Sequence, residues 1–208
     1  MSTTLLHPAY FGSIASYVSL AKAVNLVFEN EDNYQKQTYR NRMYIYGANG
    51  KLLLNIPIKH SKLEQHQKYK EVKIENDFQW QKVHWKSLET AYRTSPYFEY
   101  YEDDFVGLFE KKQKFLLDFN YHCMEVVIEC LQLETPKIKT TTYQKETNVE
   151  NDHRLLISAK NPKFDYLTPY TQVFEGKAGF IPNLSVLDLL FNEGTNALMY
   201  LEQQKLAW

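Results

Sequence analysis

The sequence predicts an α/β (or α+β) fold: a single domain over residues 1–208 with an N-terminal strand-helix-strand unit, a central β-hairpin and a helix-rich C-terminal half. Three observations carry that expectation. A short apolar run, Thr3 to His7, is followed by a helical pattern and a second apolar run, Val24 to Glu29. Between Tyr39 and His60 the pattern changes to period two on either side of Gly47-Ala48-Asn49-Gly50. From Phe78 onward, apolar residues recur at the three- and four-residue spacing of helices.

The elements follow in order. Thr3–His7 reads as a buried strand, Pro8–Ser13 as a loop, Ile14–Ala23 as a helix through Ile14, Val18 and Ala21, and Val24–Glu29 as a second strand. That order implies a parallel pair with a right-handed crossover. The loops Pro8–Ser13 and Glu29–Tyr34 then flank one crevice, because ligand groups gather beyond the carboxyl ends of parallel strands. The acidic run Glu29-Asn30-Glu31-Asp32-Asn33 reads more simply as a solvated loop. In the hairpin, Arg40, Arg42, Tyr44 and Tyr46 share one face and Asn41, Met43 and Ile45 the other, since side chains alternate along a strand. The returning Leu52, Leu54, Ile56 and Ile58 form an apolar face that requires burial.

Ser61–Glu71 is polar and lysine-rich, a solvated loop, and Val72–Ile74 is a candidate strand. Asn76-Asp77 can cap a helix over Phe78–Thr94, ended by Ser95-Pro96. The apolar spacing predicts one long helix from Asp103 to Leu133, closed by Pro136. Lys137–Asn148 reads as an edge strand or ordered loop, and Asp152–Ala159 as a short helix. Asn161–Asn183 is a structured loop, and Leu184–Phe191 and Thr195–Gln204 are two final helices separated at Gly194.

Composition narrows function. A net charge of −1 argues against a general nucleic-acid binder, which needs a basic surplus. No apolar run reaches the ~20 residues of a membrane span, and no secretory leader is visible. Cys123 and Cys130 stand about two helical turns apart, too far for a disulfide within one helix. They read as reduced thiols, which fits a cytoplasmic protein. The 16 Tyr and 12 Phe make the chain aromatic-rich, either as core filling or as stacking surfaces for a sugar or nucleoside. No Gly-rich phosphate loop, zinc set or Gly-x-Ser-x-Gly elbow occurs.

Arg40, Asn41 and Arg42 are the leading binding candidates, because a guanidinium offers a planar fork of donors to an anion and Tyr a stacking face. The alternative is a surface strand whose arginines pair with nearby acids. His84 is the candidate general base, with Tyr92 two turns later on a similar face. A packing role for that histidine is the competing reading. Tyr10, at the end of the first strand, either donates to a ligand or packs. Asp188 falls in the first turn of a helix capped by Asn183 or Ser185, or else reaches Arg40 or Arg42 from the C-terminal segment.

The run Tyr39-Arg40-Asn41-Arg42 with Asn55-Ile56-Pro57-Ile58, then Trp80, His84 and Tyr92-Arg93-Thr94-Ser95-Pro96-Tyr97-Phe98, and finally Asn183-Leu184-Ser185 with Asp188, resembles the WbqC-like family nearly from end to end. One departure is visible. Many relatives open His-Gln-Pro-x-Tyr, whereas this chain has Leu6-His7-Pro8-Ala9-Tyr10, so His7 stands where relatives carry Gln and only Pro8 and Tyr10 match. A catalytic role of that N-terminal histidine in relatives would not transfer to His7. The resemblance implies a transferase, acyl or aminoacyl and including glycine transfer, acting on a sugar or nucleotide-sugar in surface-polysaccharide (O-antigen) synthesis. On that reading Tyr10, Arg40, Asn41, Arg42, Tyr92 and Asp188 bind a small anionic or sugar-phosphate ligand, and His84 is the base. A non-catalytic protein that binds a nucleotide-sugar or a partner enzyme is the alternative. Cofactor and protein partners are not specified by any motif.

Overall fold

The structure is a computed structural model that describes residues 2–59, 67–134, 138–160 and 164–206. Strand β1 (Thr3–Leu6), helix α1 (Ile14–Ala21) and strand β2 (Asn25–Phe28) form the expected unit. β1 and β2 run parallel, Thr3 opposite Asn25 and Leu6 opposite Phe28. Ser13 starts α1, its hydroxyl accepting from Ser16 N–H, and Asn183 Oδ1 takes the Ala15 N–H at 2.8 Å.

Two short strands extend this pair. β5 (Ile138–Lys139) pairs parallel with β2, and β6 (Asn151–Asp152) pairs parallel with β1. The sheet order is β5-β2-β1-β6, so all carboxyl ends lie on one edge. Counted along the chain, these four strands stand third, second, first, fourth; the direction of progression reverses between β1 and β6. Such a switch point opens a crevice in parallel sheets.

The hairpin pairs β3 (Arg42–Gly47) with β4 (Gly50–Asn55) antiparallel, Arg42 opposite Asn55 and Gly47 opposite Gly50. Gly50 has φ +100°, a conformation that glycine adopts without a Cβ penalty. Met43, Ile45 and Leu54 are buried, as the alternation requires. Arg40 precedes the strand and turns inward, so it does not share the outer face of Arg42 and Tyr44. Tyr46 is buried too, its hydroxyl donating to the carbonyls of Phe174 and Gly179. Leu52, expected to be buried, is instead 40% exposed and faces the space between the hairpin and the helix Trp80–Tyr92.

Helix α2 (Trp80–Tyr92) buries Trp80, His84, Leu88, Ala91 and Tyr92. Its N-cap is Gln79, with no side-chain cap from Asn76 or Asp77. The expected long helix is two: α3 (Phe98–Glu110) and α4 (Leu116–Cys130). Between them the backbone is extended and bonds elsewhere, Ile74 N–H to Lys114 O and Leu116 N–H to Val72 O. The run Glu110–Lys114 has no apolar side chain to hold a helix against the core. The predicted helix over Asp152–Ala159 is instead the end of β6 and a 3-10 turn, Arg154–Ile157. Tyr69–Glu71 forms another 3-10 turn with Tyr69 buried, so this end of the expected solvated loop belongs to the core; residues 61–66 of that loop lie outside the described residues, as do Pro136 and Lys137.

Helices α5 (Glu175–Ala178), α6 (Val186–Glu193) and α7 (Ala197–Gln203) follow. Ser185 caps α6 by accepting from Leu187 N–H. α6 packs on α1, α3 and β3. One contiguous buried cluster runs from Leu6 to Leu201, dense in rings such as Phe11, Phe105, Phe119 and Phe191. Cys123 and Cys130 are free thiols.

Candidate functional site

The predicted site residues fall into three polar clusters rather than one. The first lies at the carboxyl edge of the parallel sheet. His7 follows β1 and Asp32 follows β2; His7 Nε2 meets Asp32 Oδ2 at 2.9 Å. Arg40, with none of its surface exposed, donates Nη2 to the same Asp32 oxygen and lies 3.0 Å from His7 Nε2. Its guanidinium also stacks over the Tyr69 ring at 5.3 Å. Asn120 from α4 donates to the Arg40 carbonyl at 2.7 Å, and Tyr69 donates its hydroxyl to Pro8 O at 3.0 Å. The acidic run is therefore not a solvated loop: Glu29 and Asp32 are both buried.

Electrostatics follow from that packing. Burial pushes the Asp32 carboxyl up, but the His7 hydrogen bond and the Arg40 charge outweigh it and hold it below the usual range. Burial pulls the His7 ring down, with Arg40 adding to the effect and Asp32 opposing it. As a neutral ring, His7 donates its Nε2–H to the ionised Asp32 in a hydrogen bond.

Beside this triad, Glu29 accepts from Thr140 at 2.7 Å, just past β5, and pairs with Arg154, just past β6, at 3.5 Å. Arg154 also grips Asp152 at 2.8 and 2.6 Å. Every strand of the sheet thus delivers a polar group to this edge. The segment carrying the arginines threads between the loop after β1 and the turn after β6: Tyr10 N–H donates to Tyr39 O at 2.9 Å, and Tyr39 N–H to Ile157 O at 2.8 Å.

Arg42 is the cation of this region with a different environment. It is half-buried, and no hydrogen bond or ion pair holds its guanidinium among the described residues. Its Nε is buried and without a partner, as is Asn41 Oδ1. Asn41 donates to Asn55 Oδ1 and Ile56 O, both at 3.0 Å. Around Arg42 stand Tyr34 and Tyr39, whose phenols feel its charge, and Tyr44, whose ring meets Tyr39 edge-on at 6.1 Å. Burial raises the Tyr39 hydroxyl to about 12, with Tyr44 adding to the rise and Arg42 opposing it. His7 Nδ1, Arg40 Nε and Asn120 Oδ1 are further buried polar atoms without partners.

The second cluster joins Tyr10 to His84. The Tyr10 hydroxyl donates to His84 Nδ1 at 2.8 Å, and the other ring nitrogen donates to the Asn55 carbonyl. Burial lowers His84 to about 4, the Asn55 bond opposing. Both nitrogens are committed and the side chain is buried. The third cluster centres on Asp188, which accepts from Tyr92 at 2.7 Å, from Gln172 at 2.8 Å and from Tyr170. Burial raises its carboxyl, and those hydrogen bonds oppose the rise. Asp188 bonds neither Arg40 nor Arg42, and Tyr92 is tied to Asp188 and to the Tyr46 N–H.

Sequence reasoning passed over His7, Asp32, Tyr34, Tyr69 and Asn120. The rule of carboxyl ends was the usable signal for the first three, since it marked both loops as one crevice.

The class of protein is then set by fold and site: a mixed α/β chain with a charged, tyrosine-lined region at the carboxyl edge of a parallel sheet. It belongs to the WbqC-like protein family, whose family model matches residues 8–170. It is also 26% identical over 204 residues, covering 84% of this chain and 86% of the other, to the uncharacterized protein Rv1507c of Mycobacterium tuberculosis. No solved structure is a significant match. Among the described residues no helix is long and apolar enough to cross a membrane.

Proposed function

We propose that this protein recognises a phosphorylated or nucleotide-linked sugar over the carboxyl edge of its parallel sheet, as the acceptor of an acyl or aminoacyl group in surface-polysaccharide synthesis. One observation carries the reading: the Arg42 guanidinium, free of any acidic partner among the described residues, stands among Tyr34, Tyr39 and Tyr44, just past the point where the Tyr39 backbone bonds both the loop after β1 and the turn after β6. An unneutralised guanidinium offers donors to a phosphate, and the part-exposed rings of Tyr34 and Tyr44 offer faces to a sugar or base, with Tyr39 buried behind them. Asn41 lies beside Arg42, its amide fixing the mouth of the hairpin through Asn55 Oδ1 and Ile56 O. Arg40, His7 and Asp32 serve as the charged scaffold beneath, and Tyr10 with His84 fixes the loop after β1 against α2 and β4. Group transfer on this surface relies on positioning rather than on His84, whose ring nitrogens are occupied.

That occupancy also favours a second reading, a binding protein that presents the sugar to another enzyme. Titration calorimetry with sugar phosphates and nucleotide-sugars tests the shared part. A ligand binding the wild type and losing on the order of 10- to 100-fold in Arg42→Ala supports it, the loss of charge-assisted hydrogen bonds. A silent panel with folded protein sinks it. Release of a modified sugar on adding acyl or aminoacyl donors then separates transferase from carrier.

A further inference from the structure

Away from that region, a groove of about 550 Å³ lies between the hairpin tip and the outer face of α2. Its size is that of a small-molecule site. Leu52 of β4 and Val83 of α2 both line it, and they remain 40% and 59% exposed. Val83 is an unfavourable choice for a solvated helix position, being β-branched and apolar among polar neighbours. The hydroxyls in the wall are spoken for by the helix backbone: Ser87 donates to Val83 O at 2.8 Å and Thr90 to Lys86 O at 2.7 Å. Gly47 lets the two strands close up at the tip end, since a Cβ there would stand 3.3 Å from Leu52 Cβ. The charged lining residues are Lys82 and Lys86, one turn apart on α2; Lys86 also reaches Glu89 at 3.3 Å, on the exposed side.

We propose that this groove binds a single-chain amphiphile with an anionic headgroup, its alkyl chain between Leu52 and Val83 and its head at Lys82 and Lys86. Apolar walls with cations and no acid in the lining fit that chemistry. A partner helix fits poorly, because groove-bound helices need a row of anchors a turn apart and the exposed aliphatic lining amounts to Leu52 and Val83. The site is separate from the Arg42 region and stands without the sugar reading.

Calorimetric titration with dodecyl phosphate below its micelle concentration, alongside dodecyl maltoside and inorganic phosphate, tests it. The expected result is saturable binding of dodecyl phosphate, about tenfold or more weaker in Val83→Asp. Lys82→Glu/Lys86→Glu should weaken dodecyl phosphate similarly and leave dodecyl maltoside unchanged. Inorganic phosphate alone should not compete, and Arg42→Ala should bind dodecyl phosphate like the wild type. The three substituted groove positions, Lys82, Val83 and Lys86, are exposed, and thermal unfolding verifies that the variants fold. Absence of saturable binding overturns the proposal, as does an affinity that Val83→Asp leaves intact or that Arg42→Ala abolishes.

Discussion

Arg40 is held in the interior by Asp32, His7 and the Tyr69 ring, and that dependence is mutual. Truncating one member of a buried ion pair leaves the other charge without compensation, which costs about 3–5 kcal/mol. Arg40→Ala should therefore unfold at markedly lower urea than the wild type, whereas Arg40→Met/Asp32→Leu should recover much of the loss. If the single and double variants are equally destabilised, the pair is not the source of the effect. His7 contributes a donor to the same carboxylate, and a glutamine amide can supply one from a similar distance. His7→Gln should stay within about 1 kcal/mol of wild type while His7→Ala loses more, on the order of 1–3 kcal/mol from an unsatisfied buried acceptor. Equal losses would show that the ring packs rather than donates. The sequence singles out Arg40 and Arg42 by residue type, but strand alternation puts them on one face. The strand begins only at Arg42, and the direction of Arg40 is set by an acid 8 positions away and a histidine 33 away. Such pairings leave no local periodic trace.

The same contrast between local and distant causes governs the elements. The β1-α1-β2 unit is legible because its apolar runs, Ser13 cap and length are local. β5 and β6 are two residues each, below the length at which period two can be read, and they exist through backbone bonds to β2 and β1. The break between α3 and α4 carries neither Gly nor Pro; the extended strand-like stretch at Val72–Ile74 takes up the backbone groups there. Gly194, by contrast, announces its stop. It has φ +55°, and a Cβ there would run into the Tyr97 ring, which packs where α6 meets the start of α3. Gly194→Ala is expected to cost roughly 1–3 kcal/mol, through both strain and overpacking. Gly176→Ala, in open space with no positive φ, serves as the control and should be near neutral. Matching midpoints for the two variants in a denaturant series would refute this account of the α6 terminus.

At the scale of the whole molecule, the interior is built around ionisable groups, and their protonation makes folding pH-dependent. His84 titrates near 4 in the folded protein against an ordinary 6.5, because burial disfavours the imidazolium. Between those values the unfolded chain binds a proton that the folded chain does not, so stability falls as pH drops from 6.5 toward 4. The shift corresponds to up to about 3 kcal/mol. His7 and His153 are also lowered by burial and add to the same slope. Asp32, held low on balance by His7 and Arg40, adds a loss only at more acid pH, as its folded form protonates. Asp188 opposes these: burial raises its carboxyl, so its contribution is lost as pH rises from 3.8 through its folded value. The histidines outnumber it in the window from 4 to 6.5, and the net expectation is a protein that weakens on acidification. Urea unfolding across that window should show the fall. Replacing both partners of the buried hydrogen bond, Tyr10→Phe/His84→Phe, leaves no orphaned polar group on either ring, costs the Asn55 carbonyl its donor, and removes one titrating histidine. The slope of stability against pH should flatten in that variant. A slope as steep as the wild type's would mean that His84 is not held neutral, and with it would go the argument that its ring is closed to proton transfer.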